Sequence, residues 1–191
     1  GAGKLGSTIA KALVQAQLVT IEQVCNQHLL SAEQVIDHQG EGVAVDGLSD
    51  LVSADAWLIT VPDDQIQSIC DGLSSLGVFG SGVTVIHCSG ALTSDALSSA
   101  RSKGCAVGSW HPIHSFANLN DNNIDWQDLY FSFEGDENAK QLCTLWTQSI
   151  GAQLFLLSKN QKTLYHSSLV IAANGSVALA DSAMQLMHRV G

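Results

Sequence analysis

Charge is scarce in this chain, and positive charge scarcer still. Of 191 residues only 14% are charged, and eight Lys and Arg stand against eighteen Asp and Glu. The formal net charge of -10 leaves no basic surface of the kind that nucleic acid or an anionic membrane demands. Small anionic ligands are not excluded, since a few local donors can bind a phosphate. There is no Cys-x-x-Cys. The five cysteines, Cys25, Cys70, Cys88, Cys105 and Cys143, are odd in number and widely spaced, which predicts reduced thiols and a cytoplasmic setting. No uninterrupted apolar run approaches the length of a membrane span, no signal-peptide pattern is present, and internal repeats and low-complexity tracts are missing. What remains is a globular composition, 46% hydrophobic, long enough for one domain with a sizeable core and part of a second.

Short apolar runs alternate with helical stretches. Strands are expected around "TIEQVCN", "GVAV", "DAWLITVP", "GVTVIHCSG", "CAVGSWHP", "LYFSFEGD" and "AQLFLL", and helices around "GSTIAKALVQAQ", "SAEQVIDHQ", "DGLSDLVSA", "DQIQSICDGLSSL", "TSDALSSARSKG" and "NAKQLCTLWTQSIG". Such alternation predicts an α/β fold with an open, mostly parallel sheet. After Leu157 the pattern turns helical, with Asn174–Gly175 as its one turn signal. The expected division is therefore a domain over 1–157 and the start of an all-helical second domain over 158–191. The chain opens inside a motif, so a further strand is expected before Gly1, and more helix is expected after Gly191.

That motif is "GAGKLG", which fits G-x-G-x-x-G. Gly1 permits a tight turn, Gly3 leaves room for a pyrophosphate, and Gly6 lets the following helix pack closely. Lys4 and Leu5 open that helix, whose N-terminal N–H groups are anion donors. About twenty residues on, at the end of the next strand, an NAD site usually carries an acid on the ribose 2′-hydroxyl. Here Asn26, Gln27 and His28 stand in its place. NADP is favoured over NAD, although no Arg is there to receive a 2′-phosphate.

Ligands on such sheets bind outside the carboxyl ends of the strands. "VPDD" (Val61, Pro62, Asp63, Asp64), "HCSG" (His87, Cys88, Ser89, Gly90) and "WHPIHSF" (Trp110 to Phe116) all fall at that rim. Val61, Pro62 and Asp63 are candidate cofactor contacts. Ser89 and Gly90 are candidates for a substrate carboxylate, although a loop that caps the next helix would use the same donors. Pro112 should end its strand, with Trp110 packed beneath and His111, more than His114, placed to touch ligand. Cys88 reads as a small buried residue.

The set "GAGKLG", "VPDD", "HCSGAL", "GSWHPIHSF" and "KTLYHSSLVIAAN" resembles Rossmann-like proteins that carry domain of unknown function 2520. It is similar, more distantly, to pyrroline-5-carboxylate reductase, to 6-phosphogluconate and 3-hydroxyacid dehydrogenases, and to deazaflavin-dependent NADP oxidoreductases. The resemblance implies a Rossmann-like sheet with helices on both faces, an NADP-dependent oxidoreductase activity, and a homodimer formed by the helical domain. It also allows a domain break near residue 117. In the 3-hydroxyacid dehydrogenases a lysine and an asparagine one turn later act on the proton, so the resemblance points to Lys162 and, at i+4, His166. An imidazole suits that proton, whereas Lys162 needs a depressed pKa or else stabilises negative charge. Asn174, about 80° further round the helix, is a candidate substrate contact.

Three functions follow as expectations. One is hydride transfer between nicotinamide and a small carbonyl, imine or hydroxyacid substrate. The second is a dinucleotide-binding sensor or scaffold without turnover. The third is a metal-dependent enzyme that gathers His87, His111, His114 and His166, with Cys88, although H-x-x-H across a proline is not helical ligand spacing.

Overall fold

A computed structural model describes residues 1–116 and 124–190. The alternation of runs becomes an α/β fold of seven strands and seven α-helices among the described residues. In chain order these are α1 (Lys4–Gln15), β1 (Gln23–Cys25), α2 (Leu29–Gln39), β2 (Val43–Val45), β3 (Ala56–Ile59), α3 (Asp63–Ser75), β4 (Thr84–His87), α4 (Ser98–Ser102), β5 (Ala106–Pro112), β6 (Tyr130–Gly135), α5 (Glu137–Ser149), β7 (Gln153–Leu156), α6 (Lys162–Val170) and α7 (Ser176–His188). The "DGLSDLVSA" stretch holds only a 3-10 turn, Leu48–Asp50, and the helix expected in "TSDALSSARSKG" splits into a 3-10 turn and the short α4.

Strands β3-β4-β5-β6-β7 form one sheet in that order, parallel except for the antiparallel β5–β6 pair, and β1 pairs with β2 in parallel. The opening loop sits between the two groups. Ala2 bridges Thr60 on the β3 side, and its N–H donates to Asn26 Oδ1 on the β1 side. Helices cover both faces, as β4 requires, since all four of its residues are buried. On one face Ile9 and Leu13 of α1 and Ala139, Cys143 and Trp146 of α5 pack on Ile86, Trp110, Phe131 and Phe133. On the other, Ile66, Cys70 and Leu73 of α3 and Ala100 of α4 cover Ile59, Val85 and Val107.

One length difference positions the site. Ile59, His87 and Ser109 stand level across β3, β4 and β5. There β4 ends, but β5 runs on through Trp110, His111 and Pro112 because antiparallel β6 continues to pair with it. The overhang carries His111 past the end of β4. Trp110 anchors it, fully buried, stacked on Phe131 with centroids 4.5 Å apart and donating its indole N–H to Thr147 Oγ1 at 2.9 Å.

Asn174–Gly175 does not stop the last helix. The stretch Ile171–Gly175 forms a π-helical turn, with Gly175 at a helical φ of -62, and the helix runs 30 residues from Lys159 to His188. Leu164, Ile171, Val177, Leu179, Met184 and Met187 lie exposed along it. Uninterrupted apolar runs are short here, yet by length and composition this helix could cross a membrane. Interspersed Ser, Asn, Gly, Asp and Gln break the apolar runs without breaking the helix, so run length alone does not report it. The alternative domain break near residue 117 falls outside the described residues.

Candidate functional site: a dinucleotide crevice and a histidine pair

The glycines of the opening loop divide by what surrounds them. A methyl group on Gly1 would lie 2.6 Å from Val61 Cγ1, and one on Gly6 would collide with Thr60, but one on Gly3 meets nothing within 4 Å. Gly1 and Gly6 are wedged against the end of β3, and Gly3 opens into a cavity of about 870 Å³. That volume is in the range of cofactor sites. Gly1, Gly3 and Lys4 line it with Asn26, Gln27, His28, Val61 and Pro62. The first-turn N–H groups of α1 rise beside it, so loop and cavity fit a dinucleotide phosphate. Leu5 turns its side chain to the core. Asn26 is occupied in holding the loop, through both Ala2 N–H and Ala2 C=O. Asp46, which the sequence reading did not single out, lines the same cavity as Asn26, Gln27 and His28.

From Pro62 a chain of contacts leads to the other rim loops. Asp63 accepts the Ser89 hydroxyl proton at 2.8 Å. Ser89 Oγ in turn accepts N–H bonds from Ala91 and Leu92 at 3.1 and 2.9 Å. The hydroxyl and the two amides are thus committed to the turn, and the capping alternative describes Ser89 better than carboxylate capture does. His87 is committed as well. Its Nδ1 accepts the Ser89 N–H at 3.1 Å, so the neutral ring carries its proton on Nε2 and donates to Thr93 C=O, also at 3.1 Å. Burial pushes its pKa down to about 4. Cys88 is buried and its thiol is pushed up to about 12 by burial, which makes it a poor nucleophile.

Helix α6 delivers three residues from one face, at i, i+3 and i+4. Lys162 is 1% exposed. Its Nζ donates to Ser89 C=O at 2.9 Å and to Ser109 Oγ at 2.7 Å, tying the β4 loop to β5. Burial lowers its pKa to about 8, against the opposing pull of Glu134 and Asp63. Glu134 is itself buried, with both oxygens bonded to Ser94. Tyr165, absent from the sequence candidates, places its hydroxyl 2.8 Å from His111 Nδ1. His166 completes the group: a methyl on Gly90 would stand 2.8 Å from both His111 Nε2 and His166 Nδ1. Two imidazole nitrogens therefore converge over one glycine, and among the described residues His166 Nδ1 is buried with no hydrogen-bond partner. Burial, then the nearby Lys162 charge, lowers His111 to about 4, so the ring is neutral at physiological pH.

Two candidates stay outside this group. His114 is exposed and rests edge-on against Phe116, and Asn174 is exposed in the π turn. The four histidines do not assemble as metal ligands: among the described residues no three His, Cys, Asp or Glu side chains are grouped to hold an ion.

A glycine loop between parallel strands, an open crevice beside it and polar residues at the strand ends define a Rossmann-type dinucleotide-binding protein. Residues 1–112 match the Rossmann-like domain family, so the chain belongs to it, and residues 129–191 match the Domain of unknown function (DUF2520). Three solved structures share the fold. TM1727 from Thermotoga maritima is 23% identical, with 100% of this chain and 68% of that one covered and a TM-score of 0.77. BF3122 from Bacteroides fragilis, a proposed NADP oxidoreductase, is 17% identical over 100% and 71%, with a TM-score of 0.81. Prephenate dehydrogenase from Aquifex aeolicus, in complex with hydroxyphenyl propionate and NAD+, is 15% identical over 97% and 68%, with a TM-score of 0.73. At these identities the likeness is one of fold. No curated protein matches the chain.

Proposed function

We propose that this protein is an NAD(P)-dependent oxidoreductase acting on a small carbonyl, imine or hydroxyacid-type substrate, with NADP preferred. The observation that carries the reading is the convergence of His111 and His166 on Gly90, one loop away from the cavity beside Gly3. Nicotinamide would supply the hydride. The glycine loop and the α1 N-terminus would hold its phosphates, with Lys4, Val61, Pro62 and Asp63 along the way. Ser89 shapes the turn beneath, and His111 and His166 would lie beside the substrate, with His166 as the residue that exchanges the proton. Lys162 acts from below as a fixed charge, because both its exposure and its bonds keep it from the substrate. Its positive charge opposes protonation of His111 and favours negative charge developing on a substrate oxygen.

The NADP preference rests on Lys4, His28 and His38 lining the cavity, with Asp46 as the counterweight. We further propose that the protein is cytoplasmic, in keeping with its five free cysteines, and that the exposed apolar helix pairs with a second copy. The test is fluorescence titration of the full chain with NADPH and NADH, followed by NADPH consumption on a panel of carbonyls and imines. Micromolar NADPH binding, with turnover that His166→Ala abolishes, is expected. Failure of both nucleotides to bind would refute the reading, whereas binding without turnover would favour a sensor.

A further inference from the structure

We propose that Asp63 is a positioning residue. Through Ser89 it sets the turn over residues 89–92, and with it the glycine on which His111 and His166 converge. One hydrogen bond thus ties the wall of the nucleotide cavity to the histidine pair. The effect of Asp63 on turnover rests on the oxidoreductase reading above; its effect on the turn does not.

Ser89 is 5% exposed, and its polar groups are fully engaged. Its N–H donates to His87 Nδ1 at 3.1 Å. Its C=O has two lone pairs and accepts from Lys162 Nζ at 2.9 Å and from Ser109 Oγ at 3.0 Å. Its hydroxyl has one proton and two lone pairs. The lone pairs accept the Ala91 and Leu92 amides at 3.1 and 2.9 Å, and the proton goes to Asp63 Oδ2 at 2.8 Å. A carboxylate only accepts, so this last bond has one direction, and it fixes the rotation of the hydroxyl with both lone pairs on the amides. Without Asp63 the proton has no ready substitute, because the carbonyl of Ser89 itself is already filled. The hydroxyl then turns away in search of an acceptor, and an amide of the turn loses its partner.

Asp63 stands between the two halves of the site. On one side it follows Val61 and Pro62, which line the cavity, and Val61 is the residue against which Gly1 is wedged. On the other side its bond reaches 26 residues along the chain to Ser89, the neighbour of Gly90. A Cβ on Gly90 would lie 2.8 Å from His111 Nε2 and from His166 Nδ1, and 2.9 Å from His111 Cε1. A turn that moves toward the rings must therefore displace them. His111 comes from the β5 overhang and His166 from α6, so the turn is a third, independent segment whose place sets how the two rings are held. An acid in the first turn of α3 also favours that helix, but Asp64 serves the same purpose and does not need the bond to Ser89.

The experiment is amide hydrogen exchange by NMR on the full chain, read together with the ring-nitrogen signals of His111 and His166. In Asp63→Ala the Ala91 and Leu92 amides should exchange about tenfold faster, while Val85 and Ile86 of β4 keep their wild-type rates, and both histidine signals should move. Ser89→Ala should move those signals the same way, and the double variant no further. Asp63→Asn, which keeps an acceptor oxygen and loses the charge, should restore both readouts. Unchanged exchange in Asp63→Ala, or additive shifts in the double variant, overturns the positioning role. So does an Asp63→Asn that behaves like Asp63→Ala, because the charge and not the bond is then what acts. If Asp63→Ala does not fold, Asp63→Glu keeps the charge and misplaces the acceptor. It should show the same faster exchange, and wild-type rates there overturn the role. On the oxidoreductase reading, kcat for NADPH consumption should fall about 10- to 100-fold in Asp63→Ala and return in Asp63→Asn; a wild-type kcat in Asp63→Ala overturns the role. A wild-type chain that neither binds nor consumes NADPH ends the oxidoreductase reading and leaves the exchange result standing.

Discussion

At the residue scale, Gly90 accepts no side chain unless both histidines shift. Two ring nitrogens stand 2.8 Å from where its Cβ would be, and a methyl there must push them away. Gly90→Ala is expected to cost about 1–3 kcal/mol of stability through overpacking and to lower turnover by about 100-fold or more, with NADPH affinity unchanged. Urea denaturation, steady-state kinetics and nucleotide titration separate the three effects. Lys162→Met keeps the stem and removes the charge that helps hold His111 neutral, so the His111 pKa should rise from about 4, as read by NMR titration. The buried histidines also set the acid limit. His87 and His111 titrate at about 4 in the fold against an ordinary 6.5. Between those values the unfolded chain binds protons that the folded one refuses. Stability should therefore fall as pH drops from 6.5 toward 4 and level off below, with His87 alone contributing about 3 kcal/mol. Lys162 acts at the other end: lowered from 10.5 to about 8, it makes stability rise with pH across that interval. Denaturation midpoints measured across both ranges would check the two signs.

At the scale of elements, the glycine loop and the β5 overhang do different work. The loop was legible in the sequence because its spacing encodes contacts with its own strand and helix. The structure adds which glycine is structural and which is open. Gly6→Ala, which drives a methyl into Thr60, should lower the melting temperature and nucleotide affinity together. Gly3→Ala, with open space around it, should leave the melting temperature unchanged while weakening NADPH binding by about tenfold or more, about 1.4 kcal/mol. The overhang was half legible. Pro112 ends the strand where expected, but His111 reaches Gly90 only because β6 returns antiparallel and sustains pairing beyond the end of β4. Tyr165 was missed although its i+3 spacing from Lys162 puts it on the same helix face; a tyrosine there has the same sequence signature as a packing residue.

At the scale of the whole molecule, the last helix is the part with least support from its own chain. Its apolar residues point outward in every direction, and Leu164, Ile171 and Leu179 are each more than 70% exposed, which an isolated soluble helix cannot sustain. If a second copy covers it, Leu179→Asp should convert a dimer to a monomer in sedimentation velocity while the α/β region keeps its melting transition.

Local patterning alone determined the α/β class, the glycine loop and the rim position of the histidines, because strand period, turn residues and motif spacing act between neighbours in the chain. Only the tertiary structure decided that Ser89 and His87 are spent on the turn, that Lys162 is buried beneath it, and that His111 and His166 share one glycine. Those outcomes depend on hydrogen bonds and close approaches between segments up to 76 residues apart in the sequence. Sequence spacing carries no measure of such distances.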